Sequence, residues 1–123
     1  MSFIFINQNP DGLITDDCTV RAISLFTGKS WDTTFIGIAI TGFECKRMMG
    51  TNYTWQLYLR NLGYKQTLIP NFCPECYTIK EFCKDNPKGK FLLTTGTHVT
   101  TVIDGNYYDT WDSGNEVPIS YWS

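Results

Sequence analysis

The chain has 123 residues, of which 42% are apolar and 15% aromatic, enough to bury a core in one domain spanning residues 1–123 and too many for a disordered chain. Ten basic residues against twelve acidic leave a net charge of −2, with the lysines and arginines scattered. That argues against a nucleic-acid partner, which needs concentrated positive charge, and no apolar run approaches the roughly 18 residues of a membrane span.

The start, "MSFIFINQNP", lacks a basic n-region and turns polar after six positions, so it does not read as a signal peptide. "FIFI" predicts a short strand, and "NQNPDGLITDD" a turn-rich loop marked by Asn-Pro and Asp-Gly. "DCTVRAISLFTGKS" predicts a helix. Thr15, Asp16 or Asp17 can cap its start and Gly28 its end, while Val20, Ala22, Ile23, Leu25 and Phe26 make it apolar on most sides, as a buried central helix is. Ser30 is the natural cap of a second segment, "WDTTFIGIAITGF", whose β-branched residues and Gly37 weaken its helix propensity. In "TWQLYLRNLGY", Trp55, Tyr58, Leu59 and Leu62 fall at i, i+3, i+4 and i+7, predicting an amphipathic helix closed by Gly63. "KQTLIP" suggests a short strand. "TIKEFCKDNP" opens on a capping box, Thr78 to Glu81, and closes at Asn86-Pro87. "KFLLTT" predicts a strand, "HVTTVID" and "NYYDTW" the two arms of a hairpin, and "VPISYW" a last strand. Helices come first and strands last, which points to an α+β domain.

Cys18 stands in the first turn of the central helix. The dipole and free N–H groups there favour a thiolate, although Asp16 and Asp17 beside it oppose ionisation. An imidazole that becomes positive next to the sulfur would complete the activation. The plain alternative is a small buried core residue.

His98 is the only histidine. If the hairpin turn centres on Asp104-Gly105, His98 faces Trp111; if it centres on Gly105-Asn106, it faces Ser113. Asp109 shares the His98 face in both registers, and Asp112 would do so only through a bulge. A carboxylate on one ring nitrogen would fix the tautomer and steady the imidazolium, with Trp111 covering the pair.

Cysteine at a buried helix start, then histidine at a strand start, then an acid on the next strand: this order resembles the papain-like cysteine peptidases. "TDDCTVRAIS" is similar to the Asp-Cys helix start of their bacteriocin-leader peptidase branch, and Asp109-Thr110-Trp111 parallels the Asn-Ser-Trp step of papain itself. The resemblance extends to small proteins of this kind carried by bacteria and their phages. It covers the first 28 residues and about the last 35. It implies a papain-like α+β fold, with the cysteine helix packed on a C-terminal antiparallel sheet. It also implies a cytoplasmic hydrolase that cleaves a peptide or isopeptide bond of a protein or peptide substrate, without metal or other cofactor. Cys18 would be the nucleophile, His98 the general base and acid, and Asp109 the orienter. The family places an oxyanion-binding glutamine about six residues before the cysteine. Here that position is Gly12, and Gln8, ten residues upstream, is the candidate, with Asn7 and Asn9 as rivals. The backbone N–H of Cys18 would be the other donor.

Two other readings stay open. One is a catalytically inactive domain of this type that binds or inhibits a protein partner. The other is a structural zinc site built on the Cys73-x2-Cys76 pair, Cys83 and, in principle, Cys45; it lacks a second such pair. Five cysteines, an odd number, fit free thiols in a reducing cytosol. "DTWDSG" lacks the oxygen-rich spacing of a calcium loop.

Overall fold

A computed structural model describes residues 2–70 and 77–123. Among them, four helices and six strands form an α+β arrangement: β1 (Phe3–Phe5), α1 (Cys18–Thr27), α2 (Trp31–Cys45), α3 (Asn52–Asn61), β2 (Gln66–Leu68), α4 (Ile79–Asp85), β3 (Lys90–Thr94), β4 (Val99–Ile103), β5 (Asn106–Asp109) and β6 (Ser120–Trp122). The strands make one sheet in the order β1-β5-β4-β3-β6-β2. The C-terminal strands pair antiparallel as the sequence suggests, but β1 pairs parallel to β5, so the sheet is mixed. Among the described residues no helix is long and apolar enough to cross a membrane.

Period-two alternation gives the sheet two buried faces. Leu92, Val99 and Trp122 join Val20, Ile23, Phe26, Ile38, Trp55 and Leu59 in a core beneath α1, α2 and α3. Leu93, Val102 and Tyr107 join Ile79, Phe82 and Cys83 of α4 in a second core. Helix α2 forms despite its β-branched residues, because Ser30 accepts the Thr33 N–H and α3 packs along it. Gly37 permits that packing: a Cβ there would lie 2.5 Å from the Tyr58 ring. Leu62, an expected core position, is 41% exposed and only caps α3. The helix ends one residue short of its apolar periodicity, just before Gly63, which takes φ +96°.

The contact of α1 with β4 places the site. The Thr101 hydroxyl donates to the Ala22 carbonyl at 2.7 Å, pinning the middle of the strand to the middle of the helix. From that pin, four residues back along the helix (about 6 Å) reach Cys18, and three back along the strand (about 10 Å) reach His98. Both arrive at the same end of the α1–β4 contact.

The β4–β5 hairpin sets the other relation. Ile103 pairs with Asn106, and Asp104 and Gly105 occupy the turn at φ 49° and 77°. Two successive left-handed residues make a tight turn that matches strand twist, and glycine bears this conformation without Cβ strain. Gly105→Ala should therefore destabilise the domain by about 1–2 kcal/mol, since its Cβ would also come within 3.3 Å of the Cys83 carbonyl oxygen. Urea unfolding checks this, and an unchanged midpoint would contradict the turn's role.

Candidate active site

The loop before α1 is organised by asparagines. The Asn9 side-chain oxygen accepts the N–H groups of Asp11 (3.0 Å) and Leu13 (3.3 Å), and its amide donates to Asp17 Oδ2 at 3.1 Å. Asp17 is the N-cap residue of α1, yet its side chain makes no capping bond. Its buried carboxylate instead takes the Trp31 indole N–H at 3.0 Å and pairs with Arg21 one helical turn on. Two consequences follow for Cys18. Asp17 leaves the N–H groups of the first turn unused, so the positive end of the helix dipole acts on the sulfur. The Asp17 charge, which the sequence sets against thiol ionisation, is compensated by Arg21. Asp16 remains exposed.

His98 lies just ahead of β4. Thr95 Oγ1 accepts its N–H at 2.9 Å, and the Thr95 N–H donates to the His98 carbonyl at 2.8 Å, so the backbone entering the strand is fixed on both sides. The imidazole Nε2 meets Asp109 Oδ2 at 2.6 Å. Asp109 also accepts the Ser113 hydroxyl (2.9 Å) and the Thr110 N–H (2.8 Å), so its lone pairs are engaged from three sides. His98 and Asp109 are only 8% and 6% exposed. The Trp111 ring lies 4.8 Å from the imidazole, tilted by 44°. The register is that of the Asp104-Gly105 turn, and without a bulge the alternation leaves Asp109, not Asp112, on the His98 face. Asp112 turns away to accept the Tyr107 hydroxyl at 2.6 Å and the Gly114 N–H at 3.0 Å.

The Cys18 thiol and the His98 ring line the same two cavities, and both His98 and the Val99 N–H act on the thiol's ionisation. With Nε2 committed to Asp109, Nδ1 is the ring nitrogen left for the sulfur. Burial alone would push the thiol pKa up, but the hydrogen bond and charge of His98, the Val99 N–H and the Thr19 hydroxyl together bring it below its ordinary value. Burial likewise disfavours a charged His98. The hydrogen bonds to Asp109 and Cys18, and their negative charges, outweigh it and raise the imidazole to about 9. Asp109 follows the same pattern: burial pushes it up, and His98, Thr110 and Ser113 hold it below the usual carboxylate range. The three shifts all run towards a thiolate, an imidazolium and a carboxylate in a row.

Cys18, His98 and Asp109 are thus brought together. The proposed oxyanion residues are not. The Gln8 amide donates to Ser24 Oγ at 3.1 Å, six residues and about 9 Å along α1 from the cysteine. Asn7 donates to the Leu13 carbonyl, and Asn9 is spent on Asp17. The asparagine-stapled loop lies along the flank of the helix and draws Gln8 away from its start. The Cys18 N–H remains as the backbone donor at the site.

Sequence reasoning missed Ser113, Thr95, Trp31 and Arg21. The Thr95-x-x-His98 spacing is that of a hydroxyl capping a backbone N–H, and Asp17-to-Arg21 is an i,i+4 pair, so those two were readable. Ser113 reaches back only four residues to Asp109, from the loop that follows β5, whereas Trp31 depends on tertiary approach and left no local signal. Of the other thiols, Cys73 and Cys76 lie outside the described residues. Cys83 is sealed in the second core, where burial pushes its thiol up to about 11, and Cys45 is half-buried on α2. Among the described residues no cluster of three or more His, Cys, Asp or Glu could hold a metal ion.

Two cavities open on the Cys18–His98 pair. One, of about 280 Å³, lies toward α3, β2 and β6; the other, of about 430 Å³, lies beneath Ile14, Thr110 and Trp111. No family model, curated protein or solved structure matches this chain.

The electrostatic chain can be tested at its buried end. Asp109→Asn removes the charge that sustains the imidazolium, so the pH at which iodoacetamide begins to alkylate Cys18 should move upward. Alkylation followed against pH by peptide mass measures that shift, and superimposable profiles would show that Asp109 does not govern the thiol.

Proposed function

We propose that the protein is a cysteine-nucleophile acyl-transfer enzyme acting on a peptide or isopeptide bond. The observation that carries this reading is the His98 imidazole held between Asp109, at 2.6 Å, and the Cys18 thiol. A cysteine paired with a histidine that a carboxylate orients is the arrangement thiol acyl transfer requires.

The steps follow from the charges. The Cys18 thiolate attacks the carbonyl carbon, forming a C–S bond and an oxyanion that the Cys18 N–H and the helix dipole stabilise. As the C–N bond breaks, the imidazolium gives its proton to the leaving nitrogen and the amine departs. Neutral His98 then takes a proton from water or another acceptor, which attacks the thioester; the C–S bond breaks, and the acyl product leaves with the thiolate restored. Asp109 keeps its proton off throughout and holds the ring in position. The resting ion pair spares the first step a separate deprotonation.

One observation favours a second reading, a domain that binds through this cleft without turnover. None of Gln8, Asn7 and Asn9 reaches the sulfur, so a side-chain oxyanion donor from that loop is lacking. Rapid Cys18 alkylation without turnover of any peptide would support that second reading.

The enzyme reading sets a pH profile. Activity needs the thiolate, gained as pH rises through the lowered Cys18 pKa, and the imidazolium, lost as pH rises through about 9. The rate on a mixed internally quenched peptide library should therefore rise as pH passes the lowered Cys18 pKa and fall with an alkaline limb near 9. Cys18→Ala and His98→Ala should each lower it by about 10³-fold or more. Turnover that persists in Cys18→Ala would sink the proposal.

A further inference from the structure

The smaller of the two cavities carries a chemical preference. Apart from the Cys18–His98 pair, none of the residues lining it is charged. Its polar groups include three carboxamides, from Asn52 and Gln56 on α3 and Gln66 on β2, beside the buried Trp55 and the exposed Leu68. Their hydrogen-bonding capacity is only partly used. The Trp55 indole donates to Asn52 Oδ1 at 3.1 Å; indole is a donor only, so the Asn52 NH2 is left as a donor. Gln66 Nε2 donates to Ser120 Oγ at 3.0 Å, which leaves its Oε1 as an acceptor. Thr94 and Ser120 satisfy each other at 2.6 Å.

A free donor and a free acceptor in a neutral, partly enclosed space match a group that offers both in return. A carboxylate or ammonium entering here would find no opposite charge among the lining residues away from the Cys18–His98 pair. An aliphatic side chain would cover the amides without pairing them. A carboxamide pairs with both. The leaving nitrogen must sit where His98 can protonate it. Cys18 and His98 line both cavities, and Trp111, which packs on the imidazole, lines the larger one with Thr110; with the leaving side placed there, the acyl side falls to the smaller cavity.

We propose that this cavity receives the carboxamide side chain of a substrate glutamine or asparagine on the acyl side of the scissile bond, with Asn52 and Gln66 as specificity-determining residues. The inference rests on the cysteine-nucleophile reading and deepens it. Gln66 lies on an exposed edge strand, so it can be changed with little risk to the fold.

Short peptides ending in an acyloxymethyl ketone, with Gln, Asn, Leu, Glu or Lys at the first or second residue before the electrophile, test it. The readout is the rate of adduct formation at Cys18 by mass, with iodoacetamide alkylation of Cys18 run in parallel on wild type and His98→Ala. The Gln or Asn peptides should react about 10-fold or more faster than the other three. In Gln66→Glu the Lys peptide should overtake them. Equal rates, or faster Leu, Glu or Lys peptides, alongside His98-dependent iodoacetamide reactivity would overturn the cavity assignment and leave the nucleophile standing. A Gln preference that Gln66→Glu leaves intact would remove Gln66 from the site and overturn the assignment as drawn. Slow iodoacetamide reaction independent of His98 would remove the reading beneath both.

Discussion

A buried carboxylate, Asp109, holds a buried imidazole charged, and the proposed chemistry depends on that contact. Burial works against all three ionised groups: it raises the thiol and the carboxylate and lowers the imidazole. The row is favoured only because each charge acts on its opposite, His98 and Asp109 at hydrogen-bonding distance, with Ser113 and Thr110 engaging the remaining Asp109 lone pairs. Removing one member of such a row strands its neighbours, whose desolvation is then uncompensated. The same low-dielectric surroundings that make the row costly to build make it effective on a developing charge.

The rest of the fold reads as a device for keeping those groups in register. The Asp104-Gly105 turn fixes β5 against β4, the Thr101-to-Ala22 bond fixes β4 against α1, and the two cores clamp the sheet from both faces. Around Cys18 the decisive feature is where Asp17 points. A capping aspartate at that position would place its charge on the helix end beside the sulfur. Arg21, Asn9 and Trp31 draw it sideways instead and free the helix start for chemistry.

Much of this was legible in the sequence because it was local. Gly28 and Ser30 mark the boundary between α1 and α2, and Thr78 marks the start of α4. The period-two alternation of the hairpin put Asp109 on the His98 face before any coordinate was known. What the sequence withheld was non-local. Apolar periodicity carried α3 through Leu62, but that residue is the helix C-cap and stays 41% exposed. The parallel pairing of β1 with β5 joins segments about a hundred residues apart. Gln8 was placed by resemblance rather than by physics, and the asparagine bonds of its own loop carry it to Ser24. The polar cavity beside the cysteine is assembled from α3, β2 and β6, a juxtaposition no local pattern encodes.

The chain contains one histidine, so its ring signals in an NMR titration are free of overlap. Following them against pH, first with the Cys18 thiol free and then with it capped as a methyl disulfide, reads the charge coupling at its centre. An imidazole pKa of about 9 that falls when the thiol is capped is the result expected of a thiolate–imidazolium pair. A value near the ordinary histidine pKa of about 6.5, indifferent to the cap, would mean that the sulfur and the ring do not share a proton.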